Sequence, residues 1–98
     1  MARFRARTDD NQPEIVKALR NHGATVAITA QAGSGFPDLV VGYKGVNYMM
    51  EIKDPSKPKS DQKLTPAQVI FHAAWTGQLA VIKTIAEAID LIMEKHHV

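Results

Sequence analysis

The 98-residue sequence contains no cysteine. That excludes disulfides and thiolate metal sites, and it fits a reducing compartment. No apolar run approaches the ~20 residues needed to cross a bilayer. The opening Met-Ala-Arg-Phe-Arg-Ala-Arg has no apolar segment behind it, so no secretory signal is expected and an intracellular, cytoplasmic location is. Aromatic residues are 6% of the chain, and apart from Phe4 between Arg3 and Arg5 none stands in a basic run, which argues against base reading by a stacking platform. The small-residue loop at 30–35 lacks the spacing and the Lys-Ser pair of a phosphate-binding loop. There is no internal repeat and no second domain. The length suits one domain over residues 1–98, able to bury roughly 65% of its unfolded surface.

What charge there is, is unevenly placed. The net charge is +2, yet residues 1–7 carry three arginines, and residues 53–63 carry four lysines against two aspartates. Between them, residues 8–52 carry five acids and three bases. Two basic segments flanking an acidic middle suit a polyanion held around a cation-binding centre. They equally suit two solvated, flexible segments.

Residues 1–9 show no apolar periodicity and read as a flexible basic arm. A helix is expected from Asp10 or Asn11, either of which can cap it, with Pro13 in the first turn and Ile15, Val16 and Leu19 as its apolar stripe. Gly23 ends it. Residues 25–29 alternate and are β-branched, as in a strand. Residues 39–43 and 46–53 are two strands joined by the tight turn Lys44-Gly45. Their near-continuous apolar content predicts a sheet covered on both faces. A polar loop follows. Thr65-Pro66-Ala67-Gln68 is a capping box opening a helix that Gly77 ends. Leu79 to Ile82 reads as a buried strand. Thr84-Ile85-Ala86-Glu87 is a second capping box, opening a helix with Ile85, Ile89 and Ile92 on one stripe. A strand, a helix and a strand in succession imply a parallel crossover. The fold class is α/β: a mixed sheet flanked by helices, in the order α-β-β-β-α-β-α.

Within this frame, Asp38 opens one strand of the hairpin and Glu51 and Lys53 end the next. Side chains two apart on a strand share a face, so Glu51 and Lys53 stand roughly 7 Å apart at their backbones, with Asp38 beside them. Two carboxylates ~5 Å apart repel by about 3 kcal/mol at an effective dielectric of 20, so something must offset them. Lys53 supplies one charge and a divalent cation would supply more. An all-oxygen set, with the main-chain carbonyl of Ile52 as a further ligand, favours Mg2+ or Mn2+ over zinc. Such a centre hydrolyses phosphodiesters. The ordinary alternative is an exposed Glu51–Lys53 ion pair and a turn aspartate. Acid-x-Lys alone is weak: Asp61-Gln62-Lys63 repeats it in a polar loop and reads as solvated. Glu14 suits a helix start by the dipole, worth roughly 0.3–1 kcal/mol, or it points back to the carboxylates as a further ligand. His22 and His72 are isolated and read as surface or packing residues. Ser34 reads as a turn residue that could also contact a phosphate.

Pro37-Asp38 with Glu51-Ile52-Lys53, in this element order, resembles the PD-(D/E)XK nuclease superfamily and its restriction-endonuclease-like αβββαβ core. With Gly35-Phe36-Pro37-Asp38-Leu39 and Leu64-Thr65-Pro66-Ala67-Gln68 added, the chain is similar to the stand-alone VRR-NUC (virus-type replication-repair nuclease) domains over about residues 10–92. The resemblance implies DNA cleavage dependent on Mg2+ or Mn2+, with Asp38, Glu51 and Lys53 catalytic. Glu14 would then correspond to the family's early glutamate and Gln68 to its helix glutamine, a role compatible with capping. For small phage-type members it further implies homodimers that cut branched DNA such as four-way (Holliday) junctions, in a bacterial or phage-infected host. DNA contacts would fall to Arg3, Arg5, Arg7, Ser34, Lys57, Lys59 and Lys63, reading backbone and shape rather than sequence. The competing expectation is a non-catalytic DNA-binding or partner module that keeps the nuclease fold.

Overall fold

The computed structural model describes residues 9–94. Arg3, Arg5 and Arg7, and with them the expected flexibility of the basic arm, lie outside the described residues. Helix α1 (Gln12–Asn21) leads to strands β1 (Thr25–Ile28), β2 (Leu39–Tyr43) and β3 (Val46–Ile52). Helices α2 (Lys59–Gln62) and α3 (Pro66–Ala74), strand β4 (Leu79–Ile82) and helix α4 (Ile85–Met93) complete the chain. The strands form one mixed sheet in the order β1-β2-β3-β4, antiparallel except for the parallel β3–β4 pair. This is the expected αβββαβ order. The addition is α2, a four-residue helix after Pro58, too short to leave a periodic trace in sequence. No helix among the described residues is long and apolar enough to cross a membrane.

The sheet's two faces follow from strand alternation. Leu39 pairs with Met50 and Val41 with Tyr48, so these four share a face with Tyr43 and Ile52. That face is the core: Ile15, Val16 and Leu19 of α1 and Ala88 and Ile92 of α4 join it in one buried cluster. Each large side chain so buried contributes roughly 1.5–3 kcal/mol. Tyr48, wholly buried, donates its hydroxyl to the Ile92 carbonyl at 3.3 Å. The opposite face carries Met49, Glu51 and Lys53 and meets α3. The β2–β3 turn has positive φ at both Lys44 and Gly45, the type I′ geometry that matches strand twist. Helix α1 ends in a Schellman pattern, with Gly23 N–H donating to Arg20 and Ala24 N–H to Leu19.

Four expectations are corrected. Strand β4 is an edge strand in which only Ile82 is buried, so the sheet is covered over β2 and β3 but open at its margins. The buried stripe of α4 is Ala88 and Ile92, while Ile85 is 38% exposed. Helix α3 stops at Ala74, three residues before Gly77. Trp75 turns extended there and stacks on Phe71, its indole filling space that a side chain at Gly77 would take. Finally, Asn11 does not cap α1. Its amide donates instead to the carbonyls of Lys53 at 3.2 Å and Lys83 at 3.0 Å, tying the start of α1 to the ends of β3 and β4.

Candidate active site

Asp38, one residue ahead of β2, is fixed by two hydrogen bonds of its own and one on Pro37. The last β2–β3 pair is Leu39 with Met50, so β3 runs on past its neighbour. The next residues back, Asp38 and the buried Pro37, are held sideways by β1's end: Thr29 N–H donates to the Asp38 carbonyl at 2.7 Å and Thr29 Oγ1 to the Pro37 carbonyl at 2.8 Å. The Asp38 carboxylate then takes the place of a ladder acceptor, receiving Ile52 N–H at 2.8 Å. A strand residue's N–H and C=O point the same way, so the Ile52 carbonyl faces this side too. Lys53 alternates to the other partner, its N–H donating to Ile82 at 3.0 Å.

Glu51 lies inside the fold at 1% exposure and Lys53 at 7%. They do not form the direct ion pair considered above: no such contact within 4.0 Å exists among the described residues. Gln68 stands between them. Its Nε2 donates to Glu51 Oε2 at 2.9 Å and its Oε1 accepts from Lys53 Nζ at 3.0 Å. Oε1 also accepts Thr65 N–H at 2.9 Å, closing the capping box whose other half is Gln68 N–H to Thr65 Oγ1 at 3.2 Å. Lysine can only donate and a carboxylate can only accept, so the amide is held in one orientation. Capping and site support are one side chain's work.

The second Glu51 oxygen, Oε1, is buried with no hydrogen-bond partner. Burial, above all, pushes the Glu51 carboxyl up to about 9. Once protonated, Glu51 can donate to Asp38, and the charges of Asp38 and Asp9 also favour that form, while Lys53 opposes it. An orphaned buried carboxylate oxygen beside a second carboxylate is the arrangement a cation would relieve. Among the described residues no three His, Asp or Glu side chains form a ready cage. Two carboxylates and a carbonyl suit Mg2+, which keeps waters and takes substrate phosphate oxygens for its remaining positions.

The site opens into a cavity of about 280 Å³ lined by Asp38, Glu51, Ile52, Lys53 and Gln68. Glu14 is not among the residues that line it. That residue is exposed on α1's outer side, away from the buried positions Gln12, Ile15, Val16 and Leu19, and it lines neither this cavity nor the one beside it. Asp9, placed by sequence in the arm, lines the cavity instead. Its carboxyl is raised by burial, against the lowering charges of Lys57 and Lys53. Asp61 and Lys63, read as solvated, are exposed but line the cavity walls. Lys57 does so as well, whereas Lys59 and Ser34 do not. Ser34 is an exposed residue with φ 57° in the loop tip. His72 is half-buried, with Nε2 unpartnered, and burial and the Lys53 charge lower its pKa. His22 is a surface residue against Tyr43 and Met93.

The loop before Pro37 crosses directly against α3. A Cβ on Gly35 would lie 2.6 Å from the Ala67 carbonyl carbon and 3.0 Å from Gln68 N, where φ is already +78°. Gly35→Ala must therefore move either the Asp38 loop or the start of α3. Left-handed backbone alone costs roughly 1–2 kcal/mol for a residue with a Cβ, and the overlap adds to that. Chemical denaturation should show a loss of about 2–3 kcal/mol. Gly33→Ala, which meets nothing within 4 Å, should lose only the backbone part.

The fold is a mixed four-stranded sheet flanked by helices, with acid and lysine side chains gathered where β2 and β3 part. A solved structure described as "VRR_NUC domain" matches it with a TM-score of 0.62, covering 92% of this chain and 100% of that one at 21% sequence identity. The chain has the fold of a VRR_NUC domain. No protein-family model and no curated protein matches its sequence.

Proposed function

We propose that this protein is a divalent-metal-dependent DNA endonuclease, selective for branched DNA such as four-way junctions. The observation that carries the reading is the buried, unpartnered Glu51 Oε1 beside Asp38, with Lys53 held next to both through Gln68. Asp38, Glu51 and the Ile52 carbonyl would hold Mg2+ or Mn2+. When bound, such an ion polarises a phosphate oxygen and acidifies a water. Lys53, fixed by Gln68, positions the attacking water and neutralises charge developing on phosphorus. Asp9 adds negative charge to the cavity lining, and Glu14, exposed at the start of α1, is the further acid that the family pattern would bring to the ion. Lys57, Lys59, Lys63, Ser34 and the arginines of residues 1–7 would contact the DNA backbone. Cutting two strands of a junction needs two sites, so the active form is a homodimer. Exposed Val69 and Ile70 on α3 offer apolar area for such pairing.

The test is a panel of labelled four-way junction, linear duplex and structured RNA, each with Mg2+, Mn2+ or EDTA. The expected result is junction cleavage with either metal and none in EDTA. Junction binding without cleavage under any metal would support the non-catalytic module instead, and preferred cutting of RNA would move the substrate class.

A further inference from the structure

Beside the carboxylate cavity lies a second one of about 430 Å³, lined by Lys53, Lys57, Lys63, Ser60 and Thr65 with Asp9 and Asp61 at the shared rim. Asp9, Lys53, Asp61 and Thr65 line both cavities, so they form one continuous trough. The charge changes sign along it. Three carboxylates besides Asp61 face the first cavity against one lysine, while three lysines face the second against two aspartates. Two hydroxyls add donors that suit an oxyanion.

The lysines are presented by a constrained loop, not by a free segment. The buried Asp54 accepts from Ser56 N–H at 2.9 Å and Ser56 Oγ at 2.7 Å, which also lowers its pKa. Gln62 Nε2 donates back to the Lys57 carbonyl at 2.8 Å and the Pro55 carbonyl at 3.3 Å. Lys57 Nζ lies 4.0 Å from Asp10, and its side chain is 32% exposed. An ammonium group steered to a fixed place binds one phosphate more than it binds a general polyanion field.

We infer that this basic cavity is a subsite for a single phosphodiester, the neighbour of the scissile one on the cut strand. The inference rests on the nuclease reading of the adjoining cavity. It assigns Lys57 and Lys63 to one phosphate and leaves Lys59 outside the subsite. The second acid-x-Lys of the sequence, Asp61 to Lys63, thus becomes the far wall of the same trough.

The experiment replaces one linkage at a time around the cut with a neutral methylphosphonate. It compares wild type, Lys57→Ala/Lys63→Ala, and the charge-matched pair Lys17→Ala/Lys44→Ala on α1 and the far hairpin turn. In wild type, neutralising one flanking linkage should raise KM about tenfold, the order expected for a charged hydrogen-bonded contact. Lys57→Ala/Lys63→Ala should show that increase on unmodified DNA, with kcat unchanged, and should be indifferent to that linkage alone. The slope of log K against log salt should fall by about 0.9, one phosphate's worth. Lys17→Ala/Lys44→Ala should keep the wild-type linkage profile. The inference is overturned if Lys57→Ala/Lys63→Ala keeps the wild-type profile, or if its losses are additive with every linkage. Absence of cleavage by wild type would sink the nuclease reading, and the same linkage comparison read as binding by fluorescence anisotropy in Ca2+ would still decide the subsite.

Discussion

Glu51→Gln is expected to make the metal-free protein more stable while lowering DNA cleavage by at least about 10²–10³-fold. The carboxyl is 1% exposed, and in the fold it titrates near 9 against 4.5 for the free group. Between those values the folded chain keeps a proton that the unfolded chain has lost. Its contribution to stability is therefore full below about 4.5 and declines as pH rises through about 9. Each pH unit in that window is worth at most about 1.4 kcal/mol. Allowing for local relaxation, the variant should gain about 2–4 kcal/mol near pH 8, on the order of 10 °C in Tm for a domain this size. The amide fits the same space, still accepts from Gln68, and can donate toward Asp38. Asp54 is lowered and acts only in acid, below 3.8. His72, lowered from 6.5, costs stability as pH falls below that value. The difference between variant and wild type isolates Glu51 from both. Thermal melts in EDTA from pH 5 to 9 should show that difference widening steadily. A constant difference, or a less stable variant at pH 8, would mean that burial does not hold the metal-free Glu51 protonated in the fold.

The second large effect belongs to Gln68. Gln68→Ala removes the partner of Glu51 Oε2, the partner of the buried Lys53 ammonium and the acceptor of Thr65 N–H in a single step. Buried groups left unpaired cost about 1–3 kcal/mol each, and partial relaxation lowers the sum, so about 2–4 kcal/mol is expected. Cleavage should fall about 10- to 100-fold, the usual cost of losing a group that orients the reacting ones. Thr65→Ala tests the cap alone. It should cost about 1 kcal/mol and leave the rate within a few-fold of wild type. If both variants lose activity equally, Gln68 serves only to start α3. A pH–rate profile separates the two roles further, since loss of the Lys53 and Glu51 contacts should displace it and loss of the cap should not.

The two predictions also show which parts of this protein were legible in its sequence. The hairpin was, because Lys44-Gly45 and the alternation of residues 46–52 fix register locally. So were Asp38, Glu51 and Lys53, whose shared face follows from a period of two. Gln68 was legible as a cap and, through the family resemblance, as a site residue, but not as the bridge between Glu51 and Lys53. That role depends on where α3 crosses the sheet, which Gly35 decides by letting the backbones meet. Asp9 carried no local signal. It reaches the cavity only because Asn11, two residues on, is tied to the carbonyl ends of β3 and β4. Glu14, the acid with the better local argument, is exposed on a helix whose rotation is set by the burial of Ile15, Val16 and Leu19, and it lines neither cavity. The edge position of β4 was equally invisible, since Leu79 to Ile82 is as apolar as a central strand, yet among the described residues no strand pairs beyond it and Val81 is 38% exposed.

The most direct test of the account is single-turnover cleavage of a labelled four-way junction by wild type and by Asp38→Ala, with protein in excess and Mg2+ present. Wild type should cut at a rate abolished by EDTA and restored by added Mg2+, and Asp38→Ala should be at least about 10²–10³-fold slower while still binding the junction. Cleavage by wild type that survives EDTA, or an Asp38→Ala rate equal to wild type, would contradict the proposal that Asp38 and Glu51 hold the ion that carries the reaction.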